Sequence, residues 1–457
     1  LERGENKRPQ QKNPPMMPEY GMGFWQCKLR YWNQEQLLSV ARKYKELGVP
    51  LDVIVVDFFH WTKQGEFKFD PKYWPDVPGM CRELKEMGIQ VVVSVWPTVD
   101  IYSENFEEMK EKGYLVRTEH GVPLTMLCGG NEVFFDATNP DARTYVWEKI
   151  KKNYYDQGAK LFWLDVAEPE YSVYDFKNYR YQLGSVQEVG NIYPKYYLKA
   201  FYDGMTAEGD TMPISLIRSA WAGSAKYGAL VWSGDIVSTF ECFRRQVQAG
   251  LNMAGFGATV AGIPWWTTDI GGFHGARTDD PDFHRLYIRW FEYGCFCPVM
   301  RLHGNRNPQE GYGAEQIGSG SDNEIWSFGD KAYEISKKYI FLRERLRDYI
   351  RTQMKKAHED GTPMMRPVFY DFPTDQESWN VEDAYLFGPD LYVAPVMEDH
   401  VTEREVYLPD GTAWFNAWTG EKYEGGQNVT VAAPMDIIPV FVREGADTEH
   451  LLNIFSE

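Results

Sequence analysis

Between Gly21 and Gly361, short runs of β-branched or apolar residues alternate with amphipathic segments of helical period, and this alternation restricts the fold more than any other feature. Parallel strands joined by helices are its natural outcome, because each crossover must return the chain to the start of the next strand. Eight runs read as strands: Gly23–Cys27, Leu51–Phe58, Gln90–Trp96, Lys160–Val166, Pro213–Ser219, Ala229–Ser233, Thr259–Trp265 and Pro298–His303. Helical patterns over Gln34–Leu47, Asp141–Gln157, Ser238–Leu251 and Asp282–Tyr293 lie between them, several opened by Asn, Asp or Ser as caps. Gly48, Gly88 and Gly158 fall at helix ends, where a left-handed residue is wanted. Eight strands suit a closed (β/α)8 TIM barrel of α/β class, although a doubly wound open sheet would give the same alternation.

The strand ends separate these two folds, since functional groups of a barrel gather on its C-terminal rim. Leu51–Phe58 meets Asp57, Gln90–Trp96 ends at Trp96, Lys160–Val166 reaches Asp165 and Pro213–Ser219 reaches Arg218. Asp235 follows Ala229–Ser233, Asp269 follows Thr259–Trp265, and the last run carries Arg301 and His303. Seven strands finish in polar or aromatic groups pointing one way, which favours the barrel.

After the long helical stretch Lys331–His358 the texture changes to short alternating runs: Pro367–Tyr370, Tyr385–Phe387, Leu391–Pro395, Glu405–Leu408, Val429–Val431 and Ile437–Val442. Turn formers such as Pro409-Asp410-Gly411 and Gly425-Gly426 separate them. The expected plan is an N-terminal segment at 1–20, the catalytic barrel at 21–361, a small C-terminal β-sandwich at 362–446 and a tail at 447–457.

A formal charge of −18 argues against nucleic acid as a partner, because phosphate binding needs a basic field. An aromatic fraction of 16%, with 16 Trp and 29 Tyr, suits uncharged ligands with flat apolar faces, such as sugars. No apolar run is long enough to cross a membrane, and the polar, Pro-rich Leu1–Pro18 does not read as a secretory signal. Six cysteines without C-x-x-C spacing read as free thiols of a reducing, cytoplasmic compartment, and eight scattered His give no metal motif. No metal and no cofactor are expected; the oligomeric state stays open.

A carboxylate closing an apolar strand, as in Leu161-Phe162-Trp163-Leu164-Asp165, is costly unless it is paired or employed. A second closes Val231-Trp232-Ser233-Gly234-Asp235. Either alone is explained as well by a helix cap or a loop ion pair. Together on neighbouring rims they are the equipment for glycoside cleavage, in which one carboxylate attacks the anomeric carbon while the other protonates the leaving oxygen. Asp57, Asp269, Arg218 and His303 join them, interleaved with Trp163, Trp232, Trp265 and Trp266.

The segments Trp163–Glu170, Arg218–Ser224 with Trp232–Asp235, and Pro264–Phe273 closely resemble glycoside hydrolase family 31, and the resemblance runs from about Pro15 to Val442. It implies a retaining, exo-acting α-glycosidase with Asp165 as nucleophile and Asp235 as general acid/base. It further implies that Asp57, His303, Arg218 and Asp269 contact the sugar, and that Trp96, Trp163, Trp232 and Phe273 wall its subsite. The partner is then an oligosaccharide or other α-glycoside. The Ala-Glu-Pro-Glu continuation after Asp165 and Met300-Arg301-Leu302-His303-Gly304 resemble α-xylosidases more than α-glucosidases; transglycosylation and an inactive carbohydrate-binding barrel are the alternatives. Family members carry a β-sandwich ahead of the barrel, and the expectation is that this domain is absent here.

Overall fold

The computed structural model describes residues 13–120, 131–169, 178–256, 262–309, 318–445 and 447–456. Cys128, Glu170, most of Leu1–Pro18 and the start of Thr259–Trp265 lie outside them. Eight parallel strands form one sheet: β1 Phe24–Gln26, β2 Val53–Val56, β3 Gln90–Val95, β4 Leu161–Leu164, β5 Ser215–Ile217, β6 Ala229–Val231, β7 Trp265–Trp266 and β8 Met300–Leu302. The order is β7-β6-β5-β4-β3-β2-β1-β8, so chain neighbours are sheet neighbours and the last strand pairs with the first. Val299 N–H donates to the Trp266 carbonyl at 3.0 Å, and a parallel bridge joins Ile270 to Leu302, which closes the ring between β8 and β7. The barrel, rather than the open sheet, is the fold.

The strands read as continuous apolar runs because the barrel interior takes one set of side chains and the surrounding helices the other. In β2, Val53, Ile54, Val55 and Val56 are all fully buried. Helix Gln34–Glu46 starts where the Asn33 side chain accepts from Gln36 N–H, and helix Pro140–Asn153 where Asn139 accepts from Asp141 N–H.

Several elements differ from the sequence reading. The seventh strand is shorter than Thr259–Trp265, with its ladder confined to Trp265–Trp266. Helix Phe240–Gly250 runs on into a π-helical turn at Leu251–Phe256. The stretch Lys331–His358 is two helices, Gly329–Arg345 and Arg347–Glu359, which meet at Leu346. Val368–Tyr370, read as strand, is a 3-10 turn following Pro367, which offers no backbone N–H to a ladder.

The C-terminal part is a six-stranded antiparallel sheet in the order Met365–Arg366, Tyr385–Phe387, Leu391–Val393, Val440–Arg443, Ala413–Asn416, Lys422–Glu424, with a two-stranded ribbon of Glu403–Leu408 and Gln427–Ala432. Strand alternation splits its side chains. Leu386, Tyr392, Trp414 and Phe441 pack with Val406, Leu408, Val429 and Val431 of the ribbon, whereas Tyr385, Phe387, Leu391, Val393, Val440 and Val442 join the barrel core.

Two buried arginines hold these layers together. Arg289, on helix Pro281–Cys295, donates to the carbonyls of Val401, Ala433, Pro434 and Ile437 and so ties the barrel to the C-terminal strands. Arg343, fully buried, donates to the carbonyls of Met22, Cys295, Cys297 and Pro298 at 2.6–2.8 Å, where the chain enters β1 and β8. Arg343→Met leaves four buried acceptors unsatisfied and is expected to cost about 3–5 kcal/mol. The check is the midpoint of thermal and urea unfolding, with Arg343→Lys falling between the two; a loss below about 1 kcal/mol would contradict the role.

Candidate active site

Asp57, Trp96, Asp165, Arg218 and His303 are each the first residue beyond a barrel strand, following β2, β3, β4, β5 and β8. Their common position puts them on one rim, and the register of β4 with β5, Leu164 opposite Ile217, places Arg218 beside Asp165. Asp235 lies four residues past β6, after Gly234 at φ 79°, a turn that carries the carboxylate back over the barrel mouth. Val166 adopts φ 55°, rare for a β-branched residue, and its N–H donates to Asp165 Oδ1 at 2.8 Å.

Arg218 organises the acids. Its Nη1 lies 3.0 Å from Asp165 Oδ1 and 3.0 Å from Asp235 Oδ1, while its Nε lies 2.6 Å from Glu168 Oε1. Two oxygens on one nitrogen are no further apart than twice that distance. The Asp165 side chain is 10% exposed and that of Asp235 42%, so one acid is deep and the other stands at the mouth. His274 Nε2 approaches Asp235 Oδ2 at 4.0 Å from the other side.

Both acids line a cavity of about 400 Å³ with Leu29, Asp57, Phe58, Trp96, Trp163, Phe273, His274, His303, Asn305, Gln309 and Gly318. Phe58 stacks on Trp96 with centroids 5.2 Å apart, and Trp163 meets the His303 ring edge-on at 5.1 Å. Asp57 Oδ2 lies 3.5 Å from His303 Nε2. Among the described residues Trp96 Nε1, Trp163 Nε1 and His303 Nδ1 have no hydrogen-bond partner, which leaves donors and acceptors for a polar ligand.

Three residues expected at the sugar are not among those that line this cavity. Trp232 is buried and packs edge-on against Trp163 at 5.2 Å. Asp269 is buried against Arg301, and Arg218, partly buried, joins the two acids. Leu29, Phe58, His274, Asn305 and Gln309 line the cavity without having been singled out in the sequence. Phe58 and His274 directly follow Asp57 and Phe273, and that adjacency was the available signal. A larger groove of about 660 Å³, between Arg244 and Gln248 of the barrel and Glu382, Asp383 and Arg404 of the C-terminal part, lacks the paired acids.

Burial raises the Asp165 carboxyl above the ordinary Asp range; Arg218 opposes the rise and Asp235 adds to it. Burial works against the charge on Arg218 as well, but Asp165, Asp235 and Glu168 hold its guanidinium more firmly protonated than usual. Burial, with Asp165 close by, pushes Asp57 well above the usual carboxylate range. Burial, with Arg301 and Arg306 nearby, keeps His303 well below the usual imidazole range and therefore neutral near pH 7. The site thus combines a deep carboxylate clamped by a cation, a more accessible carboxylate, a neutral imidazole and aromatic walls.

Residues 14–353 match the family model described as the glycosyl hydrolases family 31 TIM-barrel domain, and residues 361–446 that of the family's C-terminal domain. The chain is 55% identical over 296 residues, 65% of its own length and 55% of the relative's, to an uncharacterized family 31 glucosidase ORF2 of Pseudescherichia vulneris. It is 34% identical over 439 residues to an alpha-xylosidase of Saccharolobus solfataricus, covering 94% of this chain and 56% of that one. The solved structure of a GH31 alpha-xylosidase from a soil metagenome, complexed with xylose, superposes with a TM-score of 0.93 at 56% identity, over 96% of this chain and 65% of that one. The chain therefore spans little more than half the length of these curated relatives. Barrel, C-terminal strands, paired acids and both family matches agree: the chain belongs to glycoside hydrolase family 31.

Proposed function

We propose that the protein is a retaining, exo-acting α-glycosidase that removes one α-linked sugar, with α-xylosides preferred, through Asp165 as nucleophile and Asp235 as general acid/base. The observation that carries this reading is the shared Arg218 nitrogen. It keeps Asp165 Oδ1 and Asp235 Oδ1 no more than about 6 Å apart, which favours the close spacing of a double displacement over the roughly 6.5–9.5 Å that an inverting enzyme needs for its water. Depth divides the roles. Asp165, enclosed and clamped as an anion, faces the anomeric carbon of a sugar held among Phe58, Trp96, Trp163 and Phe273. Asp235, at the mouth, faces the leaving group and later the incoming water.

In the first step Asp165 attacks the anomeric carbon, the glycosidic C–O bond breaks and the leaving oxygen takes the Asp235 proton. In the second, Asp235 removes a proton from water, whose oxygen displaces Asp165 and restores the starting configuration. Asp57 and His303 hold sugar hydroxyls on the floor of the pocket. Arg218 stabilises whichever carboxylate is charged.

The xyloside preference is supported by the alpha-xylosidases among the relatives, including the structure that superposes with a TM-score of 0.93. A pocket that rejects one extra hydroxymethyl group discriminates by about 1–3 kcal/mol, so kcat/KM for an aryl α-xyloside is expected to exceed that for the α-glucoside by roughly 10–200-fold. A ratio below one would make the protein an α-glucosidase.

Asp165→Ala is expected to abolish turnover, with azide restoring it to give a β-configured glycosyl azide. Asp235→Ala is expected to lose about 10²–10⁴-fold on poor leaving groups and little on activated aryl glycosides. Product configuration by NMR decides; an Asp235→Ala variant equally crippled on both substrate types would refute the assignment.

Since Asp165 must be charged to attack and its pKa lies above that of a free Asp, kcat/KM falls as pH drops through that raised value. Arg218 is the chief influence holding it down, so Arg218→Met moves the acid limb to higher pH. A limb that stays in place, or moves down, would remove Arg218 from its role as counter-charge.

A further inference from the structure

Cys27 is the first residue beyond β1, as Asp57 is beyond β2 and His303 beyond β8. In the sheet β1 lies between β8 and β2, so these three rim positions are neighbours although they are scattered through the sequence. One sulfur, one carboxylate oxygen and one imidazole nitrogen lie within 4.8 Å of one another, all buried. The Cys27 thiol has a weak hydrogen bond to the Lys28 carbonyl at 3.4 Å, and His303 Nδ1 is buried without a partner among the described residues. Arg301, on the same strand end as His303, pairs through Nη2 with Asp269.

We propose that Cys27, Asp57 and His303 form a binding site for a thiophilic divalent cation of the zinc and cadmium class, at the floor of the sugar pocket, where the cation acts as an inhibitor. Ligand bonds of about 2.0–2.3 Å in a tetrahedron put donor atoms roughly 3.4–3.6 Å apart, and Asp57 Oδ2 and His303 Nε2 already stand at 3.5 Å. The sulfur has to close by about an ångström at most. Calcium and magnesium want six or more oxygens, which a single carboxylate does not supply, whereas mixed S, N and O donors select zinc-like ions. As the metal binds, the Cys27 thiol proton, and the proton of the Asp57 carboxyl where it is protonated, leave to solvent. Two of the three ligands, Asp57 and His303, also line the cavity. A bound cation therefore takes up the two groups that would hold the sugar.

The test has a spectroscopic arm, which stands without the proposed activity, and a kinetic arm, which rests on it. Cadmium chloride titrated into the purified protein is expected to give an ultraviolet thiolate-to-cadmium absorption band that saturates at one ion per chain. The band should be lost in Cys27→Ala and in Cys27→Ser, both checked for folding by circular dichroism. With an aryl α-glycoside, zinc should raise KM at constant kcat, chelation should reverse it, and Cys27→Ser should need at least tenfold more zinc. A band that persists in both variants, no band in the wild type, or zinc inhibition indifferent to Cys27 would each overturn the site. A protein that binds cadmium through Cys27 but cleaves no α-glycoside would leave the site intact and refute the functional reading alone.

Discussion

The site depends on one guanidinium shared among three carboxylates. Ionised Asp165, enclosed at the end of an apolar strand, would be unstable without compensation, because desolvation of a carboxylate costs several kcal/mol even in a relaxed protein. Arg218 supplies the compensation together with the Val166 N–H. The same cation fixes distance: Asp165 and Asp235 repel each other, and a nitrogen between them holds them close enough to serve one bond. A planar, permanently charged fork does this where a lysine would offer a single mobile point charge. Its placement follows from the register of β4 with β5, so the chemistry inherits its precision from backbone pairing in the barrel.

Behind this constellation lies a dry layer. Trp232 props Trp163, Trp163 props His303, and Phe273 lies against the other side of the His303 ring at 5.1 Å. Arg301 and Asp269 neutralise each other beneath them. Trp232, Asp269 and Arg301 do not line the cavity, yet they pack against groups that do and lower the local dielectric, which strengthens every interaction Arg218 makes.

Much of this was legible in the sequence because barrel strands announce themselves twice, as apolar runs and as polar residues at their ends. Most strand ends were readable to within two residues, and Asp57, Asp165, Arg218 and His303 fall directly after their strands. What escaped has physical causes. Ala413–Asn416 and Lys422–Glu424 went unread as strands because the edge strand alternates with lysine and glutamate, which resembles a loop. Which polar end groups reach the cavity and which sit beneath it is a matter of depth, and linear order carries no depth. That is why Asp269 and Trp232 were expected at the sugar, and why Cys27, one thiol among six, showed nothing of its neighbours.

Depth also sets the order of events. A carboxylate that must attack carbon gains from enclosure, since each water removed from its surface is one fewer to displace in the transition state. A carboxylate that must exchange protons, first with a leaving group and then with water, gains from access to solvent. The contrast in exposure between Asp165 and Asp235 assigns each the environment its step demands, and Arg218 spans that gradient. In the proposed double displacement Asp165 becomes an ester and loses its charge while Arg218 remains. The cation then keeps Asp235 and Glu168 as its partners. Closure on the Asp165 side and openness on the Asp235 side are the geometry that the proposed exo-acting cleavage requires, with the terminal sugar entering first.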